Sequence, residues 1–160
     1  MSKPSPLPLS RLFPILVPVV LAAALFCRPA AAKDDQKLEV IVREIVANDS
    51  DQGLDSRLGD IGRDLKKMAY TTYRLEQTHN NLLEGNQESK VTLLGKNELL
   101  LVSEGEEEGK VRLRVKFSPS DKKQRSFFES TLRIPNGGTF IIGGPAYGDG
   151  VLILALTAKK

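Results

Sequence analysis

The sequence predicts an α+β fold that is mostly β, in which one N-terminal strand and one amphipathic helix precede an antiparallel meander of about seven strands. Three observations carry this prediction. Apolar residues alternate along residues 37–47, recur with helical spacing over 54–68, and from Tyr70 onward form short runs separated by turn residues. The strands are expected to form a twisted sheet, a sandwich or a partly open barrel, and residues 33–160 to form a single β-rich domain.

The first two elements have opposite periodicities. In KLEVIVREIVA, Leu38, Val40 and Val42 occupy alternate positions, which is typical of a strand packed on a core. After the turn-rich NDSDQG, apolar residues recur at spacings of four and three, which predicts one stripe on a helix over 54–68. The stripe consists of Leu54, Leu58, Ile61, Leu65 and Met68. Gly59 and Gly62 each weaken such a helix by up to about 1 kcal/mol, so packing on a sheet would have to stabilise it.

The remaining strands follow one another closely. They are YTTYRLEQT, KVTLL, ELLLVSE, KVRLRVKFS, SFFESTLRI, TFIIGG and VLILALTA. The connections GKN, GEEEG, PSDKKQ, PNGG and PAYGDG are short, which favours antiparallel neighbours. VLILALTA is apolar at successive positions, so we expect this strand to be central in its sheet or covered by the helix.

Residues 1–32 have the layout of a cleaved secretory signal peptide. Lys3 and Arg11 precede the apolar run LFPILVPVVLAAALFC, and Ala30 and Ala32 supply small residues just before a cut ahead of Lys33. We therefore expect a mature chain that starts at Lys33 and is periplasmic or secreted.

Two membrane-bound alternatives are weaker. The apolar run is short for a membrane span and contains Pro14 and Pro18, so no retained transmembrane helix is expected. Cys27 raises the possibility of a lipoprotein. The enzyme that processes bacterial lipoproteins resembles other small-residue proteases and requires Gly, Ala or Ser just before the cysteine, but that position is Phe26 here.

Charge excludes one class of partner. The whole chain has a formal net charge of +3, but three of its 23 basic residues, Lys3, Arg11 and Arg28, lie in the predicted signal, which leaves 20 basic and 20 acidic residues. A neutral mature chain does not favour nucleic-acid binding. The only cysteine is removed with the signal, so the domain must be held together by its core.

The glycine-rich segment IPNGGTFIIGGPAYGDG is predicted to shape a sheet. A phosphate-binding loop leads into a helix, whereas these glycines lead into the strand VLILALTA. Gly137 fits a hairpin turn with positive φ, Gly150 fits a second turn, and Gly143 with Gly144 fits a bulge.

Two resemblances follow from these patterns. Residues 135–144, PNGGTFIIGG, resemble a turn, strand and diglycine segment in the C-terminal domain of bacterial secretins, the outer-membrane rings of secretion and pilus systems. The order of signal, strand, helix, YTTYRL and glycine-closed meander resembles small exported bacterial proteins of unknown function. Neither resemblance implies catalytic residues.

A row of cations forms the one candidate binding site. In KVRLRVKFS, alternate apolar residues face a core, so Lys110, Arg112, Arg114 and Lys116, here called the basic ladder, face the other way. Such a row suits an anionic glycan or lipid. Alternatively, Glu98 and Glu104 form ion pairs with these cations across the hairpin.

No enzyme motif is present. His79 is the only histidine and is expected in an exposed turn beside Asn80, and the mature chain has no cysteine and no Gly-x-Ser-x-Gly elbow. Asp49, Asp51 and Asp55 begin like a calcium loop, but the following glycine comes one residue early. We therefore expect no catalytic residues, no metal site and no cofactor.

These observations favour a non-enzymatic exported protein that binds another envelope component, such as an accessory or assembly factor of a secretion or surface machine. Two alternatives stay open. One is a binder of anionic glycan or lipid through the basic ladder, and the other is a small hydrolase that uses carboxylates brought together by the fold.

Overall fold

The computed structural model describes residues 37–120 and 128–160. The expected signal peptide, its cleavage site at Lys33 and Cys27 lie outside the described residues. The described residues belong to one compact unit. In the described ranges, no helix has both the length and the apolar character needed to cross a membrane.

Strands dominate the described chain, which confirms the predicted α+β, mostly-β fold class. The strands are β1 Lys37–Asn48, β2 Gly53–Leu54, β3 Thr72–Glu84, β4 Glu88–Thr92, β5 Glu98–Glu107, β6 Lys110–Ser118, β7 Phe128–Pro135, β8 Thr139–Tyr147 and β9 Gly150–Lys159. The helical pieces are a 3-10 turn at Ser56–Leu58, a single α-helical turn α1 at Gly62–Leu65, and a 3-10 turn at Leu94–Lys96.

The strands form two sheets. One has the order β2-β3-β1-β9-β8, and the other is the meander β4-β5-β6-β7. All neighbours pair antiparallel except β2, which runs parallel to the start of β3. The chain therefore leaves the first sheet after β3, builds the second by three successive hairpins, and returns to the first with the β8–β9 hairpin.

The main core lies between the two sheets and makes the fold a sandwich. Its buried members come from both sheets and follow the alternation of each strand. They include Leu38, Val40 and Val42 of β1, Leu99 and Leu101 of β5, Val111, Leu113, Val115 and Phe117 of β6, and Leu152, Leu154 and Leu156 of β9. The strand β9 is central, between β1 and β8, as its apolar sequence predicted.

A second core covers the opposite face of the first sheet. Leu58, Ile61 and Leu65 pack there against strand residues that include Ile45 and Ile153. The hydroxyl of Tyr73 donates a hydrogen bond of 2.7 Å to the carbonyl oxygen of Leu65, and burial raises the pKa of this phenol. The apolar stripe predicted from the sequence is thus buried against the sheet.

The helix expected over residues 54–68 is nevertheless interrupted. Leu54 belongs to β2, and Ile61 lies between the two helical turns with φ −110° and ψ 4°, outside the helical region. A Cβ atom at Gly62 would lie 2.6 Å from a methyl carbon of Leu54. The close packing of Gly62 beside Leu54 and the low helix propensity of Gly59 and Gly62 fit a chain that follows the sheet rather than a continuous helix.

A β-bulge in β3 controls which side chains meet between the sheets. Glu44 pairs with Gln77 and Ile45 with Leu75, so Glu76 is the extra residue. The bulge reverses the alternation of β3. Tyr73 therefore faces the second core, whereas His79 shares the inner face of the sheet with even-numbered residues of β1.

Candidate functional site

The basic ladder lies on the outer face of the second sheet. Val111, Leu113, Val115 and Phe117 are buried in the main core, and the alternating Lys110, Arg112, Arg114 and Lys116 point away from it. Lys110 and Arg114 are exposed, and the other two are partly exposed. The orientation predicted from the sequence is therefore the one observed.

Carboxylates stand among the cations of the ladder. Glu104 of β5 forms ion pairs with both Arg112, at 3.2 Å, and Arg114. Glu129 of β7 lies 3.4 Å from Lys116. Glu98, the other expected partner, pairs instead with Lys90 of β4 at 2.7 Å. The ladder is thus embedded in a surface of mixed charge.

Charged side chains of both signs continue across the same face of the sheet. Glu107 lies 3.8 Å from Arg112 and 3.1 Å from Arg133 of β7. Thr131 also donates a hydrogen bond to Glu104. Each arginine of the ladder therefore has a carboxylate within ion-pairing distance, and the local field that would attract a polyanion is reduced.

Two of the three aspartates that begin like a calcium loop, Asp49 and Asp55, accept hydrogen bonds from the protein itself. Asp49 accepts a hydrogen bond from the backbone of Thr71, and Asp55 accepts from Arg57 and from the backbone of Leu75. The side-chain hydrogen bond from Arg57 holds the pKa of Asp55 far below its usual range. Within residues 37–120 and 128–160, no group of three or more His, Cys, Asp or Glu side chains is arranged to hold a metal ion.

His79 lies within β3 and not in the exposed turn expected for it. Its Nε2 atom is 2.6 Å from Oε1 of Glu44, a residue of β1 that is fully buried. The second carboxylate oxygen of Glu44 accepts a hydrogen bond of 2.7 Å from the backbone N–H of Leu94. The sequence held one signal for this contact, because Glu44 continues the alternate positions of Val40 and Val42 and so lies on the apolar face of β1.

The glycines of the segment 134–150 serve the sheet. Gly137 has φ +74°, as its turn requires, and the pairing of β8 with β9 shifts register between Gly143 and Ala146, which is the expected bulge. The second turn differs from expectation, because Gly148 has the positive φ of 59° and Gly150 does not. Gly150 is instead required by packing, since a Cβ atom there would lie 2.2 Å from the carbonyl oxygen of Ala47.

Apart from the two-residue β2, four strands of the described ranges have open edges, because β2 pairs only with Thr72 and Tyr73 and leaves the rest of β3 uncovered. These four strands differ in charge. Three of them carry charged residues, which discourage pairing with another chain. These residues are Arg74, Glu76 and Glu84 in β3, Glu88 and Lys90 in β4, and Glu129 and Arg133 in β7. The fourth, β8, has the sequence TFIIGGPAY and contains none.

The outer edge of β8 presents backbone hydrogen-bonding groups. The N–H of Ala158 donates to the carbonyl oxygen of Gly138 at 3.2 Å, and bonded and non-bonded pairs alternate along an antiparallel ladder. Phe140 and Ile142 therefore bond to β9. The N–H and C=O groups of Thr139, Ile141 and Gly143 point to the other side, where the described chain supplies no strand.

Apolar side chains accompany this open edge. Phe140 is 41% exposed and is one of two large exposed apolar residues of the described ranges, the other being Leu82 of β3 at 58%. A shallow groove beside the edge is lined by Asp64 and Met68 as well as by β8. Asp64 forms an ion pair with Lys67 at 2.6 Å. We call the outward-facing side of residues 139–143 the β8 edge.

Comparison of the chain with protein-family models, with curated proteins and with solved structures finds no match. The resemblance of residues 135–144 to secretins therefore stays a prediction. The sequence predicts TFIIGG as a strand but does not reveal the β8 edge, because strand order is a long-range property.

Proposed function

We propose that this chain is an exported, non-enzymatic protein that binds another component of the cell envelope through the β8 edge. The signal peptide predicted for residues 1–32 supports the location. One structural observation carries the binding proposal: β8 is an uncharged outermost strand with an exposed phenylalanine and outward-facing backbone groups.

The physical basis is sheet extension. A strand added to an open edge gains main-chain hydrogen bonds, and side chains at alternate positions supply specificity. Natural sheets commonly prevent such pairing with charges on their outermost strands. β3, β4 and β7 carry such charges and β8 does not, so among the longer strands of the described ranges β8 has the edge best suited to a partner strand.

The two alternatives have less support. A polyanion would have to compete with Glu104, Glu107 and Glu129 for the basic ladder. A carboxylate-dependent hydrolase would need two carboxyl groups beside a cleft, whereas the buried carboxyl group of Glu44 is committed to His79 and Leu94.

Affinity capture from the native envelope fraction tests the proposal. The full chain, expressed with residues 1–36 in place so that any processing can occur, is used as bait beside two variants. Phe140→Lys puts a charge on the β8 edge. Leu82→Lys is the matched control, because it replaces the other exposed apolar side chain at a distant strand.

We expect one envelope protein to be captured by the parent and by Leu82→Lys, and to be lost with Phe140→Lys. Capture that survives Phe140→Lys contradicts the role of the β8 edge. Retention of polyanionic material that salt or charge reversal at Arg112 and Arg114 abolishes would favour the glycan or lipid binder, and substrate turnover by the purified protein would favour the hydrolase.

A further inference from the structure

We infer that the strand which best fits the β8 edge is the same strand of a second copy of this chain, so that two molecules join their first sheets across a twofold axis. This inference rests on the proposed function, since it uses the same edge: a second copy pairs with the β8 edge when the envelope partner is absent. It follows from three properties of residues 139–143: their charge, their hydrogen-bonding groups and their side chains.

The segment is neutral over a long stretch. No charged residue occurs between Arg133 and Asp149. A foreign partner is often selected by charge complementarity, for which this edge offers no counterpart. Two copies, by contrast, meet without like-charge repulsion, so self-pairing has no electrostatic cost along the strand.

The outward-facing groups are symmetric about Ile141. If Ile141 of one copy lies opposite Ile141 of the other, Thr139 lies opposite Gly143 and Gly143 opposite Thr139. Each of these three residues directs both its N–H and its C=O outward. The antiparallel pair therefore forms about six backbone hydrogen bonds and leaves no outward group of residues 139, 141 or 143 unpaired.

The side chains are complementary in the same register. Phe140 comes to lie opposite Ile142 of the second copy, on the face that continues the main core. Phe140 is 41% exposed in the single chain, and this contact covers it. Gly143 has no side chain, so it leaves room for Thr139 of the other copy.

Both ends of the pairing are defined by the fold. The bulge between Gly143 and Ala146 and the ring of Pro145 stop the ladder on one side. The turn at Asn136–Gly138 stops it on the other. Because only about three residues of each strand supply hydrogen bonds, the interface is small and the dimer should be weak and dependent on concentration.

Sedimentation velocity of the full chain over a range of concentrations measures the association. We expect a reversible shift from monomer to dimer in the parent and in Leu82→Lys, and a monomer at all concentrations in Phe140→Lys. Thermal melting checks that each variant is folded. Gly143→Lys is a second charged variant, because no atom lies within 4 Å of a Cβ placed there, and it too should be monomeric.

Amide hydrogen exchange tests the register without a substitution. At high concentration the N–H groups of Thr139, Ile141 and Gly143 should gain protection that is lost on dilution. The N–H groups of Phe140 and Ile142, which bond to β9, should be protected at both concentrations.

The outcomes separate this inference from the proposed function. A parent that stays monomeric, with rapid exchange at Thr139, Ile141 and Gly143, overturns self-pairing; capture of an envelope protein that Phe140→Lys abolishes would then still support the β8 edge as a binding site. A dimer that persists in Phe140→Lys and leaves these amides unprotected overturns the inference, because it forms through another surface.

Discussion

His79 of β3 and Glu44 of β1 are joined side chain to side chain between the sheets, with 2.6 Å between Nε2 and Oε1. The glutamate side chain is fully buried and that of the histidine is 27% exposed. The same carboxylate also receives the N–H of Leu94 from the turn after β4. A single acidic side chain therefore connects two strands of the first sheet to the first turn of the second.

Glu44→Ala should lower the free energy of unfolding by about 2 kcal/mol, because it leaves the partly buried N–H of Leu94 without its acceptor and removes the partner of His79. Glu44→Gln should cost less, since its amide oxygen can still accept from Leu94. Denaturant unfolding measures both. Glu84→Ala is the matched control: this glutamate is exposed and pairs with Lys37, so its loss should cost under about 1 kcal/mol. Equal losses at positions 44 and 84 would contradict the structural role of the buried carboxylate.

A second prediction concerns the ion pair between Asp60 and Arg43 and the dependence of its stabilising effect on pH. Asp60 binds the guanidinium of Arg43 through both carboxylate oxygens, at 2.8 and 2.9 Å, and this hydrogen-bonded pairing lowers the pKa of Asp60. Only 12% of the Arg43 side chain is exposed. Asp60→Asn should therefore destabilise the protein at neutral pH, by about 1 kcal/mol.

The sign of its pH dependence follows from the lowered pKa. The folded state favours ionised Asp60, so the stabilisation is complete above the ordinary aspartate pKa of about 4. It is lost as the pH falls through the lower pKa of the folded state. The difference in unfolding free energy between the parent and Asp60→Asn should therefore shrink in acid. A difference that is constant down to full protonation would show that the pair does not contribute through charge.

Local patterns explain why the strands could be predicted. The alternation in KVRLRVKFS defines both the limits of β6 and the outward direction of Arg112 and Arg114, because side chains of a strand alternate regardless of the rest of the fold. Gly137 was predictable for a similar reason, since its turn needs a positive φ within four consecutive residues.

Contacts between distant segments were not predictable in this way. His79 meets Glu44 only because a bulge at Glu76 changes the phase of β3, and a bulge leaves little trace in sequence. The open edge of β8 depends on β1 and β9 pairing across more than a hundred residues. The observed helix α1 is shorter than the predicted apolar stripe, because Leu54 pairs with β3 and Ile61 leaves the helical region.

The basic ladder yields a third prediction. Glu104 is the carboxylate shared by Arg112 and Arg114, so Glu104→Gln should increase retention on a sulfated polysaccharide column. The parent should be retained weakly, because Arg112, Arg114 and Lys116 are already paired with carboxylates. Charge reversal at Arg112 and Arg114 should leave the fold intact, since the side chains lie on the outer face, and each lost pair should cost under about 1 kcal/mol. Strong retention of the parent that disappears on charge reversal would instead support polyanion binding.

The last prediction concerns the glycines of the segment 134–150. Gly137→Val should destabilise by about 1 kcal/mol or more, because a β-branched residue resists the positive φ of that turn. Gly144→Val should do so for another reason: its Cβ atom would lie 2.6 Å from the carbonyl oxygen of Leu152, a backbone atom that cannot move aside cheaply. Gly143→Ala is the matched control, since its Cβ atom meets nothing within 4 Å, and it should melt close to the parent.

Thermal melts are repeated with added nucleotide, because a phosphate-binding loop predicts stabilisation of the parent by the ligand. Lower melting temperatures for the two valine variants and no nucleotide effect support glycines that shape the sheet, whereas a nucleotide-induced rise in the parent would contradict that role and reopen the case for an enzyme.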